Sequence, residues 1–424
     1  MSLAWDVRVA SGAETVPSGW QVRRIGDLVT LINGYPFPSD SFGPTGDVPL
    51  VRIRDLADRS FGSYVTGFVP PSVLLRNGDV VIGMDGDFNL VVWKRGEAAL
   101  NQRLCLLRSR EGVDMRFIAY ALPSSLKIIN DLTFATTVKH LSSTEILSER
   151  VMVPPLEEQS RIADFLDAET CRIDTLVAAK QRAHALIDER SVALTSHMCL
   201  RGANADVTQC DSGIGPLGPM PDHWKVTRNK NFLREVAELS QDGSEELLTV
   251  SHITGVTPRR EKNVHMFQAE SMAGYKICRP DDLVINTLWA WMGALGVTRH
   301  EGIVSPAYGV YRFAVPDVLP DYFDLLFRTP EYVAEMTRHS KGVWTSRLRL
   351  YPESFLALSS PVPPLMEQKE IVATVRREIG PGRKLQDAIQ RSNALLTERR
   401  QALITAAVTG QFDVSTASGR NVTE

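Results

Sequence analysis

A six-residue motif that occurs twice, each time before a long amphipathic stretch, constrains this chain more than any other feature. It reads Pro-Pro-Leu-x-Glu-Gln at 154–159 and again at 363–368, an offset of 209 positions (363 − 154). After each copy, apolar residues recur at alternating steps of four and three, as in a helix that packs along another helix. The predicted seam of the first copy is Ile162, Leu166, Glu169, Ile173, Leu176, Lys180, Ala183, Ile187, Arg190 and Leu194, and the second lies 209 positions on. We infer an internal duplication.

The ends of both helices carry matching signals. Prolines precede each helix, and Gly202 and Gly410 follow the last periodic residues as stops. The sequence Gly380-Pro381-Gly382 is predicted to interrupt the second helix, because glycine and proline both disfavour a helix interior. By register, the first helix is expected to bend near 168–170. The remainder of the first helix, 172–200, would span ~44 Å.

The regions before the two helices also correspond. Pro17-x-x-Trp20 is echoed by Pro221-x-x-Trp224, and the apolar run at 80–82 is echoed at 283–285. Runs at 80–82, 90–93 and 104–107 predict strands, and short helices are expected at 115–122 and 143–148. The predicted segments are a first domain (1–153), a first helix (154–202), a linker rich in Gly, Pro, Asp and Ser (203–220), a second domain (221–362), a second helix (363–410) and a tail (411–424).

Composition and charge exclude several classes of protein. The five cysteines are scattered and never spaced as C-x-x-C, which predicts reduced thiols rather than a disulfide framework or a zinc site. No apolar run approaches the ~20 residues of a membrane span, and no signal peptide opens the chain. A cytoplasmic location without membrane contact is therefore expected. The net charge of −3 gives no overall basic field, so nucleic-acid binding would depend on local patches.

The duplicated motif and four further segments resemble a known family. Together with both Pro-Pro-Leu-x-Glu-Gln motifs, the residues 85–89, 93–94, 100–105 and 304–310 resemble the specificity subunit of a Type I DNA restriction-modification system, over nearly the whole chain. The resemblance implies an α+β fold, in which two similar mixed α/β target-recognition domains are joined by two long antiparallel coiled-coil-like helices with pseudo-two-fold symmetry. It implies that each domain reads one half of a split site in double-stranded DNA.

The resemblance also implies partners. Two methyltransferase (modification) subunits and translocating restriction nuclease subunits are expected to perform the chemistry. S-adenosylmethionine, ATP and Mg²⁺ would be bound by those subunits, and this chain is expected to bind no cofactor.

DNA reading requires basic and amide side chains on loops, because these pair with base edges and neutralise phosphates. The alternative for any single one of them is an ordinary solvated surface. Arg95, His140 and Lys262 lie close to the candidates in sequence, and the repeated position of Lys139, Lys341 and Arg347 before each helix favours a DNA contact. The candidates are Arg52, Arg54, Asn89, Lys94, Asn101, Gln102, Arg103, Lys139, Arg259, Arg260, Lys341, Arg347 and Arg349.

Two further patterns have competing interpretations. Trp289 and Trp291 alternate as in a strand, which favours core packing over base contact. Asp85-x-Asp87-x-Asn89 resembles a calcium loop, but Leu90 stands where that loop needs glycine. Motifs for a Walker phosphate loop, a zincin or a serine hydrolase are absent from the sequence, so the chain is expected to catalyse nothing. A DNA-reading subunit is favoured over a helical protein scaffold and over an enzyme.

Overall fold

The chain forms two compact units in a computed structural model, which describes residues 16–56, 60–110, 112–133, 139–262, 271–344 and 348–414. Unit 1 is drawn from Met1–Ala179 and Arg391–Glu424, and unit 2 from Lys180–Gln390. Each unit is described by itself.

Unit 1 is built on an antiparallel four-stranded sheet and a smaller five-stranded sheet. Its strands are β1 (Gln21–Arg24), β2 (Val29–Asn33), β3 (Phe42–Gly43), β4 (Val48–Val51), β5 (Tyr64–Val65), β6 (Leu74–Leu75), β7 (Val80–Gly83), β8 (Leu90–Val92), β9 (Ala98–Leu100), β10 (Leu104–Ser109) and β11 (Arg150–Val153). Its helices are α1 (Ile25–Leu28), α2 (Met115–Leu132), α3 (Ser143–Ser148) and the first part of α4 (Leu156–Arg201). The sheet orders are β2-β10-β7-β8 and β3-β5-β4-β9-β6, and β1 pairs with β11.

The predicted strands at 80–82, 90–93 and 104–107 are confirmed as β7, β8 and β10. The predicted helix at 143–148 has the bounds of α3, whereas α2 continues ten residues beyond the expected end at Leu122. This extension is stabilised by burial, since Leu126 and Ile129 on the added turns lie in the core.

Unit 2 repeats this sheet order. Its strands are β12 (Gln209–Asp211), β13 (Pro219–Pro221), β14 (Lys225–Arg228), β15 (Leu233–Glu235), β16 (Leu248–Ser251), β17 (Gly255–Pro258), β18 (Lys276–Cys278), β19 (Leu283–Ile285), β20 (Leu295–Val297), β21 (Gly302–Val304), β22 (Gly309–Phe313) and β23 (Ser359–Val362). Its shorter helices are α5 (Pro320–Phe327), α6 (Pro330–Arg338) and α7 (Pro352–Ala357), followed by α8 (Leu365–Val408), which ends in unit 1. The order β15-β22-β19-β20 corresponds to β2-β10-β7-β8, and β14–β23 corresponds to β1–β11. The duplication inferred from the sequence is therefore a duplication of fold.

The four-stranded sheets separate two cores, because alternate residues of a strand face opposite sides. In unit 1, Val80 and Ile82 pack with α2, whereas Val81 packs with Trp93 and the smaller sheet. In unit 2, Leu283 and Ile285 lie in one core and Val284 lies in the other. None of the described helices is long and apolar enough to cross a membrane.

The segment 203–220 has the composition of a linker but is folded. It contains β12, β13 and a short 3₁₀ helix at Gly215–Leu217. Ile214, Leu217 and Met220 are buried in the core of unit 2, which fixes this segment in place.

Both long helices are continuous, so the predicted interruptions at 168–170 and at Gly380-Pro381-Gly382 are wrong. A Cβ on Gly382 would lie 3.0 Å from Cγ2 of Ile187, so this glycine permits close approach of the helices. Burial of Ile371, Val375 and Ile379 in the turns before Pro381 outweighs the proline's missing hydrogen bond. The predicted stops are confirmed, since Gly202 (φ +78°) and Gly410 (φ +69°) both lie just past the helix ends with positive φ.

The helices pack antiparallel within each unit, as predicted. In unit 1, Phe165 packs on Phe412 with ring centroids 5.6 Å apart, and Asp174 pairs with Arg400 at 3.2 Å. In unit 2, Asp188 accepts a hydrogen bond from Gln386 at 2.6 Å, and His184 contacts Gln390 at 3.3 Å. The pseudo-two-fold relation between the units stays a prediction.

The seam differs from the predicted one at every second position. Leu176, Ala183 and Arg190 are exposed, and the less exposed residues are one position later. The same displacement occurs 209 positions on, where Leu385 and Arg399 are exposed. The reason is that the buried positions of each helix begin with two successive steps of four residues, and only then alternate between three and four. The extra residue moves every second seam position one place later. The observed seam is Ile162, Leu166, Thr170, Ile173, Val177, Lys180, His184, Ile187, Ser191, Leu194 and Met198, with its counterpart from Ile371 to Ala407.

Candidate nucleic-acid interface

One edge of the four-stranded sheet in unit 1 collects most of the candidate residues of that unit. Gly83, the last residue of β7, pairs with Leu104 at the start of β10. The neighbouring N–H of Met84 donates to the carbonyl of Arg103 at 3.0 Å. The loop at 84–89 and the segment 101–103 therefore lie at one edge.

A second pair of strands leads to the same place. The strands β4 and β9 are parallel, with Val51 opposite Leu100, so both end at this edge. The N–H of Asn101 donates to the carbonyl of Val51 at 3.1 Å, which puts Arg52 beside Asn101. Strand register thus brings together residues that are far apart in sequence. We name the loop 84–89, the segment 101–103, Arg52, Lys139 and His140 the unit 1 edge.

Asp85 organises the charged centre of the unit 1 edge. Its carboxylate accepts from Nη1 of Arg103 at 2.9 Å and contacts Nδ1 of His140 at 2.7 Å. Asp85 is only 16% exposed, whereas Arg103 is 60% and His140 58% exposed. The Arg103 guanidinium is thus oriented by a partly buried carboxylate while Arg103 remains largely exposed, an arrangement suited to donating to base edges. Gln102 and Asn89 are exposed beside it.

Lys139 has a structural contact. Its ammonium donates to the side chain of Asn130 at 3.1 Å and to the Asn130 carbonyl, in the last turn of α2. A cation there interacts favourably with the carbonyl end of the helix. The structure thus gives Lys139 a role within unit 1, and a phosphate contact for it stays a prediction.

Three arginines of unit 1, at positions 52, 54 and 95, gather around Asp55. Arg52 pairs with Asp55 at 3.2 Å and is largely covered, whereas Arg54 is 70% exposed and 3.9 Å from the same carboxylate. Arg95 lies over the Trp93 ring at 4.2 Å and donates to the carbonyl of Asp55. Lys94 is exposed and, among the described residues, makes no side-chain ion pair. Arg54 and Lys94 are therefore the two cations best placed to meet a phosphate.

Unit 2 brings together a different set at the corresponding edge. Asn286 follows β19 and donates from Nδ2 to the hydroxyl of Tyr308 at 3.2 Å. Burial raises the pKa of the Tyr308 phenol, and the positive charge of Arg259 acts in the opposite direction with a smaller effect. Lys276 donates to the Tyr308 carbonyl at 2.8 Å. Asn286, Lys276 and Tyr308 were not among the sequence candidates, although Tyr308 lies in the segment 304–310 that carried the family resemblance.

The remaining basic candidates of unit 2 occupy two places. Arg260 pairs with Glu246 at 3.1 Å while remaining 75% exposed, and Lys262 contacts the hydroxyl of Thr254. Lys341 and Arg349 exchange backbone hydrogen bonds at 2.9 Å, and their cations lie 5.9 and 5.3 Å from the Tyr351 ring centre. Arg347 lies outside the described residues.

The strand predicted at Trp289 and Trp291 is wrong, as is their expected packing in the core. Residues 290–292 form a 3₁₀ turn, and Trp289 is 52% exposed. Trp291 is half-buried and donates from Nε1 to the carbonyl of Leu288 at 3.1 Å. The alternating pattern failed here because the buried residue of this turn is Ala290, which lies between the two rings.

Nothing in the described part of the chain suggests a metal centre, since no group of three His, Cys, Asp or Glu side chains there could hold an ion. The carboxylate of Asp85, the first residue of the calcium-like pattern, pairs with Arg103 and His140.

Comparison with known proteins finds similarity to DNA specificity subunits of restriction enzymes. Residues 17–181 match the family described as "Type I restriction modification DNA specificity domain". The chain is 26% identical to the Type I restriction enzyme EcoBI specificity subunit of Escherichia coli, covering 95% of this chain and 88% of that protein. It is 21% identical to the EcoKI specificity subunit of E. coli strain K12, over 94% and 90% of the two chains.

A solved structure agrees in fold. A chain from a study of complex assembly and conformational transition of the type I R-M system aligns with a TM-score of 0.67 at 17% identity, covering 94% of this chain and 100% of that one. The chain thus contains a Type I restriction modification DNA specificity domain over residues 17–181, and over nearly its whole length it is similar to specificity subunits of Type I restriction enzymes.

Proposed function

We propose that this chain reads a bipartite DNA target, with the unit 1 edge reading one block, the corresponding edge of unit 2 reading the other, and an unread gap between them. One observation carries the proposal: the same sheet order presents the same edge twice, with different side chains. A duplicated scaffold with divergent edges suits two different short sequences. As a specificity subunit the chain is itself non-catalytic and serves to direct other subunits to DNA.

The partners follow from the family. We propose that two methyltransferase subunits bind the chain, one for each copy of the Pro-Pro-Leu-x-Glu-Gln motif and its helix, and that restriction subunits join this core. S-adenosylmethionine, ATP and Mg²⁺ would then be bound by the partners, and the assembly would act in the cytoplasm. Within the chain, 1–153 and 221–362 would be the two recognition domains, 154–202 and 363–410 the spacer helices, 203–220 the connection between the halves and 411–424 a tail.

The test is to sequence modified bases in the DNA of a host that expresses the chain with its methyltransferase subunit. The expected target is two short defined blocks around a gap of fixed length. Exchanging residues 221–362 for the corresponding segment of another family member should change one block and leave the other intact, which also assigns that block to unit 2. A continuous target, or a change in both blocks, would contradict the proposal.

A further inference from the structure

The loop that follows β19 differs in chemistry from its counterpart in unit 1. β7 and β19 occupy the same position in their sheets, so the loop between β19 and β20 corresponds to the loop between β7 and β8. The unit 1 loop carries Asp85, Asp87 and Asn89, whereas the unit 2 loop exposes Leu288 (45%) and Trp289 (52%). The loop therefore presents polar side chains in unit 1, whereas in unit 2 it also exposes two large apolar side chains.

The exposure of these two side chains is built into the turn. Ala290 is fully buried, and the N–H of Met292 donates to the carbonyl of Trp289 at 3.0 Å. The N–H of Leu288 donates to Oδ1 of Asn286 at 3.2 Å. The backbone is thus held on both sides of Trp289, and burial of Ala290 leaves Leu288 and Trp289 facing solvent.

Two cations are tied to this loop through the backbone. The N–H of Leu350 donates to the carbonyl of Thr287 at 2.9 Å, and Arg349, the residue before Leu350, exchanges backbone hydrogen bonds with Lys341. Two apolar side chains that follow Lys341 are also exposed, Val343 by 92% and Trp344 by 69%. We name Leu288 and Trp289 the apolar patch.

The charges around the apolar patch favour a polyanion over an apolar protein surface as its occupant. The cations of Lys341 and Arg349 both lie over the ring of Tyr351. No acidic residue occurs between 341 and 349. Cations of this kind meet phosphates, so an apolar patch in the adjoining loop would face the base edges of a duplex.

Resting on the function proposed above, we propose that unit 2 recognises thymine methyl groups, which Leu288 and Trp289 contact in the major groove while Lys341 and Arg349 hold the flanking phosphates. The 5-methyl of thymine is the apolar group that base edges present in that groove. The block read by unit 2 should therefore contain at least one A·T pair.

The test replaces each thymine of the unit 2 block by deoxyuridine, which removes the methyl and leaves base pairing intact. Affinity is measured for the full-length chain in complex with its methyltransferase subunit. Binding should weaken about fourfold for each methyl contacted, which corresponds to about 0.8 kcal/mol for one buried methyl-sized group. In Trp289→Ala the affinity ratio of thymine to deoxyuridine duplexes should approach one, and Trp289→Phe should retain the discrimination.

The controls separate this inference from the proposed function. Ile253→Ala removes another apolar side chain of unit 2, 73% exposed in the β16–β17 turn, and should leave the ratio unchanged. Deoxyuridine in the other block should have the same effect on wild type and Trp289→Ala. If Trp289→Ala abolishes binding, the affinity ratio of thymine to deoxyuridine duplexes is compared between Leu288→Ala, which should lower it, and Trp289→Phe, which should retain it.

A unit 2 block made only of G·C pairs would overturn the inference while leaving the bipartite target intact. So would equal affinity for thymine and deoxyuridine duplexes, or an unchanged ratio in Trp289→Ala. Absence of any sequence-specific modification would instead overturn the proposed function.

Discussion

The side-chain carbonyl of Gln368 accepts the backbone N–H of Leu319 at 2.7 Å, and its amide donates to the carbonyls of Asp317 and Pro363. Gln159, 209 positions earlier, accepts from the N–H of Asp114 at 3.0 Å and donates to the carbonyls of Gly112 and Pro154. Both glutamines are essentially buried. The last residue of each motif therefore ties the start of a long helix to the segment that leads into a domain helix.

Replacing Gln159 by leucine should lower the free energy of unfolding by about 1–3 kcal/mol, because buried N–H and C=O groups lose their partners. Urea titration followed by circular dichroism measures the change. Glu157→Leu, at an exposed position of the same motif, is the control and should stay within about 0.5 kcal/mol of wild type. Equal effects of the two substitutions would contradict the role of the glutamine.

Tyr120 should make the stability of unit 1 sensitive to alkaline pH. Burial, together with the hydrogen bond that the Tyr120 hydroxyl donates to Asp167, raises the pKa of Tyr120 from 10.0 to about 12, although the hydrogen bond with Thr170 lowers it. A raised folded-state pKa gives stability that is present below the unfolded pKa and is lost as the pH rises. The stability advantage of wild type over Tyr120→Phe should therefore shrink between about pH 10 and about pH 12. A difference that stays constant over this range would contradict the assignment.

The cysteines should divide by reactivity. Cys171 is exposed on α4, whereas Cys105, Cys199 and Cys278 are buried. Burial raises the pKa of Cys105 and of Cys278 to about 12 and that of Cys199 further, so these thiols hold little reactive thiolate. A thiol reagent at neutral pH should modify Cys171 first, with Cys210 slower and the buried three only after unfolding. Cys171→Ser should remove the fast phase of modification. A fast phase that persists in this variant would contradict its assignment to Cys171.

Lys94 should contribute to DNA affinity through a phosphate. Lys94→Ala should weaken binding at all sequences alike and reduce the slope of log affinity against log salt by about 0.9, as for the loss of one phosphate contact. Lys127→Ala is the matched control, since Lys127 is 76% exposed on α2 of the same unit and pairs with Asp131. An unchanged salt slope in Lys94→Ala would remove this residue from the interface.

The length of the paired helices should set the unread gap. Inserting four residues after Lys180 and four after its counterpart Ile389 adds about 6 Å to each helix and should lengthen the gap by roughly one or two base pairs. Modified-base sequencing should show both blocks unchanged. An insertion in one helix alone should lower stability, because it displaces one side of the seam. Altered blocks around an unaltered gap would contradict the spacer role.

The sequence by itself determined the features that repeat or depend on local geometry. The 209-residue offset, the strands β7, β8 and β10, the stops at Gly202 and Gly410, and the antiparallel pairing within each unit followed from period, turn residues and duplication. The loops at the unit 1 edge could also be located, because Arg, Asn and Gln residues next to turn signals mark strand ends, whereas their contact with DNA stays a prediction. These properties depend on a residue and its near neighbours along the chain.

Tertiary structure decided what depends on distant neighbours. Pro381 is accommodated in a continuous helix because Ile371, Val375 and Ile379 are buried and Gly382 meets Ile187. The seam moves by one residue because packing, rather than a strict period, selects the buried face. Lys139 contacts Asn130 and Asp85 orients Arg103 because strand register and helix ends bring them together. Trp289 is exposed because Ala290 is the residue of that turn that is buried in the core of unit 2. Which residue of a turn is buried depends on packing in three dimensions, so the alternation of residues along the chain could not predict it.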